Sequence, residues 1–244
     1  MARTLHMIQM ELDLPTTMQR GRKLGLSLRT ADVGYLVHCQ LAALFGERAP
    51  KPFSIREQSG RRISLLGYSA HPASELRELA QSVADPAAYE SVRWERLASK
   101  PLPERWEKGA RFKFELRTSP IQRLARSNPK GRPGAEVDAF LAHCWREGIE
   151  DGANRSEVYA AWLRNEADRV GGASLLEVEL VSFQLERLLR RTQGEARKGQ
   201  SLTRPVVTFR GLLEVEDSDK FRAMLERGIG RHRAFGLGML LLRA

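Results

Sequence analysis

Gly228-Ile-Gly-Arg-His-Arg-Ala-Phe-Gly-Leu-Gly-Met-Leu-Leu-Leu-Arg-Ala244 holds two Gly-apolar-Gly units, Gly228 to Gly230 and Gly236 to Gly238, around Arg231, His232 and Arg233. An apolar strand, Met239 to Leu242, follows. Glycine has no Cβ and accepts positive φ, so four glycines let a backbone lie close against a neighbour with three basic groups beside it. Two readings stay open. The loop is a cradle for a phosphate chain, or it is a helix-to-strand connector closing on a sheet, with Gly228 as the helix C-cap.

Working back from that loop, Asp217 to Arg227 reads as a helix, and Val206 to Val215 and Leu175 to Leu189 as two long strands separated by Arg190 to Gly199. Helical patterns occupy Ser156 to Val170, with Ser156 as N-cap, and Ala135 to Arg146. Arg111 to Leu116 alternates Phe112, Phe114 and Leu116 with charged residues, as a half-buried strand does. Allowing one extra helix, this half is β-α-β-β-α-β.

The first half has the same order. Ile8, Met10, Leu12 and Leu14 alternate with polar residues in a first strand, and a polar, basic connection runs from Thr16 to Lys23. Val33, Val37, Leu41, Leu44 and Phe45 mark a helix over Ala31 to Phe45. A hairpin turns at Ser59-Gly60, a helix covers Ala73 to Val83, and Ser91 to Leu97 is a fourth strand. The prolines of Lys100 to Pro103 mark a linker. The expected fold is α+β: two tandem ferredoxin-like (RRM-like) domains with antiparallel sheets, at residues 1–99 and 108–244, joined by a linker over 100–107.

Of 244 residues 42% are hydrophobic, enough to bury a sizeable core, and 40 Lys and Arg against 30 Asp and Glu give a net charge of +10. That excess favours a polyanionic partner such as nucleic acid. There is no run of 18 apolar residues and no secretory leader pattern, so the expected location is the cytoplasm, away from membranes. Cys39 and Cys144 lack C-x-x-C partners, and His6, His71, His143 and His232 are scattered, so neither a disulfide framework nor a metal site is expected. No cofactor is implied. Both cysteines read as small core residues.

Three stretches carry a family resemblance: Tyr35-Leu-Val-His-Cys-Gln-Leu-Ala-Ala-Leu-Phe45, Phe112-Lys-Phe-Glu-Leu-Arg-Thr-Ser-Pro120, and Val207-Thr-Phe-Arg-Gly-Leu-Leu-Glu-Val215 with the helix and glycine loop after it. In that order, they resemble the CRISPR repeat-processing endoribonucleases, and more closely the CasE family of type I-E systems. The first is like that family's Y-x-x-H-x-x-L helix and the second like its F-x-L-R-x-N-P turn, with Ser119 where the family often has Asn. Residues 129–154 look like an insertion. The resemblance implies an endoribonuclease that cuts precursor CRISPR RNA at the base of the repeat hairpin, leaves a 2′,3′-cyclic phosphate, and stays on the mature guide RNA beside the other Cascade subunits.

On a helix advancing about 100° per residue, His38 falls at the edge of the apolar stripe and Tyr35 lies one turn below it, so both can face one cleft. By themselves such residues are as readily packing groups as catalysts. The resemblance makes His38 the proton-transfer group, as base or acid, and Tyr35 the group that orients the ribose or phosphate or shares in proton transfer. His232 is a rival for catalysis or a phosphate contact.

Two basic loops supply the grip: Arg117, Arg123, Arg126, Lys130 and Arg132 after the first strand of the second half, and Arg187, Arg190, Arg191, Arg197, Lys198 and Arg204 around its long hairpin. With Gly228, Gly230, Arg231, His232, Arg233, Gly236 and Gly238, they form the expected RNA-binding set. Phe209 is the one ring in Val207 to Val215, which favours recognition of a hairpin by shape and phosphate over stacking of splayed bases. A non-catalytic RNA-hairpin-binding subunit is the alternative, and a regulator of single-stranded RNA a second.

Overall fold

A computed structural model of the chain describes residues 3–23, 33–125, 132–149, 151–191 and 199–243. The first half contains β1 (His6–Asp13), α1 (Leu14–Lys23), α2 (Val33–Phe45), β2 (Phe53–Ser59), β3 (Arg62–Ser69), α3 (Ala73–Val83), α4 (Pro86–Glu90) and β4 (Ala98–Pro101). The second contains β5 (Arg111–Thr118), β6 (Ile121–Arg123), β7 (Glu136–Asp138), α5 (Ala139–Glu147), α6 (Arg155–Val170), β8 (Ala173–Arg191), β9 (Gly199–Val215), α7 (Ser218–Arg227) and β10 (Leu240–Arg243).

The alternation of β1 puts Ile8, Met10 and Leu12 wholly inside, each worth about 1.5–3 kcal/mol against exposure. β1 pairs antiparallel with β3 on one side and β4 on the other, in the order β2-β3-β1-β4. The second sheet runs β10-β5-β9-β8. Counting each half's own four strands, both orders are 4-1-3-2, the ferredoxin-like arrangement expected from the sequence.

Six sequence expectations change. Thr16 to Lys23 is not a connection but most of α1: the Asp13 carboxylate accepts from the Thr16 N–H at 2.9 Å and its hydroxyl at 2.7 Å, and Pro15 sits in the first turn where no N–H is needed. Ser91 to Leu97 is not the fourth strand. Asp85 caps α4 by accepting from Ala88 N at 2.9 Å, and Trp94 stacks on Tyr89 in a 3₁₀ turn, so the strand starts later, at Ala98.

The expected linker over 100–107 therefore begins inside a strand. Lys100 and Pro101 pair with Met7 and His6, and Trp106 is buried against Phe112 and Phe221. Its prolines end β4 instead of stiffening a free spacer. The helix expected from Ala135 starts at Ala139, because Asp138 caps it by accepting from Phe140 N at 2.8 Å, and residues 136–138 pair with β6. Asn154, not Ser156, caps α6. Cys39 and Cys144 are half-buried, not core.

The two sheets share packing. Leu5 and Tyr68 of the first half belong to the same buried cluster as Phe114, Phe209, Phe221 and Leu240 of the second. The Tyr68 hydroxyl donates to the Leu240 carbonyl at 2.7 Å in that cluster. One further tie is ionic. A bulge between Ile55 and Glu57 leaves Arg56 out of the β2 ladder, and its Nη1 donates to Glu115 of β5 at 2.7 Å. Arg210 and Arg243 reach the same carboxylate at 3.1 and 2.5 Å.

Candidate active site and nucleic-acid interface

On α2, Leu36, Val37, Leu41, Leu44 and Phe45 are buried, leaving Tyr35 and His38 half-buried at the helix margin, as the helical spacing requires. Their ring centroids are 6.1 Å apart. Tyr35 also meets Phe235 of the glycine loop at 5.7 Å, and Phe235 meets His232 edge-on at the same distance. Four rings thus run from α2 into the terminal loop. Leu188, Val206 and Leu237 pack beneath Phe235 with Tyr35 at their margin.

Contact between α2 and the loop is backbone against backbone. A Cβ placed on Gly34 would lie 2.1 Å from the Phe235 carbonyl oxygen, so only glycine permits this approach. The loop glycines serve a similar purpose. A Cβ on Gly228 would meet the Gly238 carbonyl at 2.4 Å, on Gly230 the Thr118 hydroxyl at 2.5 Å, on Gly236 the Phe53 ring at 3.0 Å, and on Gly238 the Ile229 carbonyl at 2.7 Å. The neighbour that these glycines admit is the protein itself. Gly228 ends α7, Ile229 N donates to Gly238 O at 2.8 Å, and Gly238 N donates to Arg117 O at 2.7 Å, closing the loop on β5. This is the connector reading of the loop, and it seats Phe235 on α2.

Burial, and then the charge of Lys51, lower the pKa of His38 below its ordinary 6.5. The ring is therefore neutral at neutral pH, able to accept a proton. Lys51 is an exposed residue of the turn before β2 and had no place in the sequence-derived site. Its only local signal is its place between Pro50 and Pro52, residues that mark the end of a helix and not a site.

Several expected RNA-binding cations come together through one carboxylate. Glu136 of β7 has Arg123 at 3.9 Å, Arg204 at 3.6 Å, Arg231 at 3.6 Å and His232 at 3.5 Å. These four come from β6, β9 and the glycine loop, and the Glu136 side chain is only 14% exposed. Arg123 faces Glu136 directly in the β6–β7 ladder. His232 adopts the left-handed conformation at φ 61°, the one non-glycine residue with positive φ among those described. Such backbone persists only where surrounding structure holds it.

Arg117 is occupied elsewhere, its Nη2 donating to both Glu186 oxygens at 2.5 and 2.7 Å. That pair lines a cavity of about 370 Å³ with Gly34, Arg56 and Phe235. Arg233 donates to the Arg227 carbonyl. Arg132 and Arg187 are exposed. Arg190 and Arg191 lie at the end of β8 with side chains outside the described set, and Arg126, Lys130, Arg197 and Lys198 lie outside the described residues. Ser119 is fully buried, and its hydroxyl has no hydrogen-bond partner. Neither Glu136 nor Glu186 was a sequence candidate, since nothing in residue spacing marks a carboxylate as the meeting point of distant arginines. Among the described residues no group of three His, Cys, Asp or Glu gathers as metal ligands, and no helix is long and apolar enough to cross a membrane.

The family model described as "CRISPR associated protein" matches residues 5–244. The chain belongs to this family. A curated relative, the CRISPR-associated endoribonuclease Cse3 of Thermus thermophilus, is 30% identical over 147 residues, covering 58% of this chain and 59% of that protein's length. Among solved structures, the CRISPR endoribonuclease Cse3 bound to 19 nt RNA superposes with a TM-score of 0.65 at 20% identity, over 99% of this chain and all of that one. A chain of a CRISPR RNA-guided surveillance complex in its pre-nicking state gives 0.58 at 20% identity, over 97% of this chain and 98% of that one. At these identities the superpositions establish the fold that the CRISPR associated family shares here.

Proposed function

We propose that this chain is an endoribonuclease that cuts precursor CRISPR RNA at the base of the repeat hairpin, without a metal ion, and stays on the mature guide as a subunit of a Cascade-type complex. The observation that carries this reading is the pairing of His38 and Tyr35 at the margin of α2, where the glycine loop and the basic strands of the second half converge. The Cse3 relative and the RNA-bound and complex-borne structures of the same fold support it.

In this mechanism neutral His38 takes the proton of the ribose 2′-hydroxyl. The 2′-oxygen then attacks the adjacent phosphorus, and the bond to the 5′-oxygen breaks. The products are a 2′,3′-cyclic phosphate upstream and, once the leaving oxygen gains a proton, a 5′-hydroxyl downstream. The depressed pKa of His38 suits the base role, since an imidazolium has no lone pair to receive a proton. Tyr35 orients the scissile group or supplies the second proton, and Lys51 places a positive charge where the phosphorane develops negative charge. Arg123, Arg204, Arg231 and His232 hold the hairpin's phosphates, in keeping with A-form RNA recognised by shape and backbone.

The test is incubation of the purified protein in EDTA with the palindromic repeat RNA encoded beside its gene. Cleavage at the stem base, with a cyclic phosphate on the upstream product, is expected for the wild type and not for His38→Ala. Wild-type binding without cleavage would leave the chain a hairpin-binding subunit. Unstructured RNA competing as well as the hairpin would point to a single-strand binder.

A further inference from the structure

Beside Gly228 and Gly230 of the glycine loop, a cavity of about 410 Å³ is lined by five arginines: Arg123, Arg169, Arg227, Arg231 and Arg233. They arrive from four places: β6, the last turn of α6, the last turn of α7, and the loop itself. One arginine at each helix end is accounted for by the partial negative charge of the last carbonyls. That does not account for three more converging on the same space. The carboxylates in reach are Glu166, paired with Arg169 at 2.5 Å, and Glu136, at ion-pair distance from Arg123 and Arg231. Among the described residues, five guanidinium groups stand against these two carboxylates, a positive balance. Its cost is visible at Arg233, whose pKa is lowered by burial and then by the charge of Arg227.

We propose that this cavity, lined in part by the glycine loop, is a phosphate subsite that takes a backbone phosphodiester of the bound RNA at a point separate from the one beside His38. The assignment rests on the RNA-binding reading above and adds Arg169 and Arg227, which no sequence motif singled out, to the residues that grip RNA. Planar guanidinium forks match phosphate oxygens in pairs, and among the described residues the walls hold no aromatic ring on which a base would stack. A phosphate, not a nucleobase, is the group that fits.

The test measures binding, so it does not depend on cleavage: the repeat hairpin RNA carries a 2′-deoxy residue at the scissile position, and its affinity is followed across salt concentrations. Arg169→Ala and Arg227→Ala should each make the slope of log affinity against log salt shallower by about 0.7–0.9, the loss of one phosphate contact. Arg227→Lys, which keeps the charge, should restore most of the slope. Single methylphosphonates walked along the RNA should reveal one position where neutralising the phosphate weakens the wild type but not the Arg227→Ala protein. Slopes equal to wild type in both alanine variants, with no such position in the RNA, would overturn the subsite. Thermal unfolding of each variant shows that it is folded, and Arg169, on the exposed side of α6, serves if Arg227→Ala is not.

Discussion

The two halves of this protein share a strand order and differ in what joins the strands. In the first, α1 follows the opening strand and α2 comes next, with Tyr35 and His38 at its margin and Tyr35 against the terminal loop. In the second, the corresponding helix, α6, sinks Tyr159, Trp162, Leu163 and Ala167 into the core, while β6, β7 and α5 are added before it and the β8–β9 hairpin reaches 19 and 17 residues per strand. In the proposed mechanism the proton-transfer pair belongs to the first half, whereas the clusters at Glu136 and Glu186 belong to the second. One fold supplies either role, because function is set by residues at connections and helix margins, not by the sheet.

The sharpest way to break this division is His38→Ala. Single-turnover cleavage of the repeat hairpin should fall by about 10²–10⁴-fold, the usual worth of a placed acid-base group, while hairpin affinity stays within about twofold. An equal loss of affinity would move His38 to the RNA grip. Next comes Gly34→Ala, which forces α2 off the Phe235 carbonyl and displaces the reactive pair. Misplacement of that order costs about 10²-fold in rate, read as a fall in the cleavage constant at saturating protein.

The pH profile separates base from acid. With His38 as base, the rate is full above its pKa, which lies below 6.5, and falls about tenfold per unit as pH drops beneath it. Lys51→Ala removes a charge that opposes protonation, so that acid limb should move to higher pH. A limb falling on the alkaline side of the same pKa would make His38 the acid.

The smallest effect tests how the halves are joined. Burial pushes the Glu115 carboxyl up, but hydrogen bonds from Arg56 and Arg210 outweigh it, and its pKa is lowered overall. Its contribution to stability is present at neutral pH and is lost as pH falls through that lowered value. Glu115→Gln should cost about 2 kcal/mol in urea unfolding at pH 7, and less as the pH falls below 4.

Much of the fold was legible because periodicity reports burial. The alternation of Ile8, Met10 and Leu12 located β1, the spacing of Val33 to Phe45 located α2, and the span Ala73 to Val83 of α3 follows its pattern from end to end. Failures came where local structure outweighed composition: Asp13 converts a polar run into α1, and Trp94, stacked on Tyr89 in a 3₁₀ turn, occupies the span where a strand was expected. Of the site, Tyr35 and His38 were readable as neighbours on one helix edge. Lys51, Glu136 and Glu186 were not, since each acts on residues far along the chain.

By itself, then, the sequence determined two α+β units of like order, a basic surface and a histidine-tyrosine pair on the first long helix, all of them properties of spacing and composition within a single element. Tertiary structure alone decided that the glycine loop closes on the protein and seats Phe235 against Tyr35, that Arg123, Arg204, Arg231 and His232 meet at Glu136, and that five arginines share one cavity. The reason is range. Helical and strand periods are set by neighbours a few residues apart, whereas the field at a charged group depends on whatever packing brings within a few ångströms.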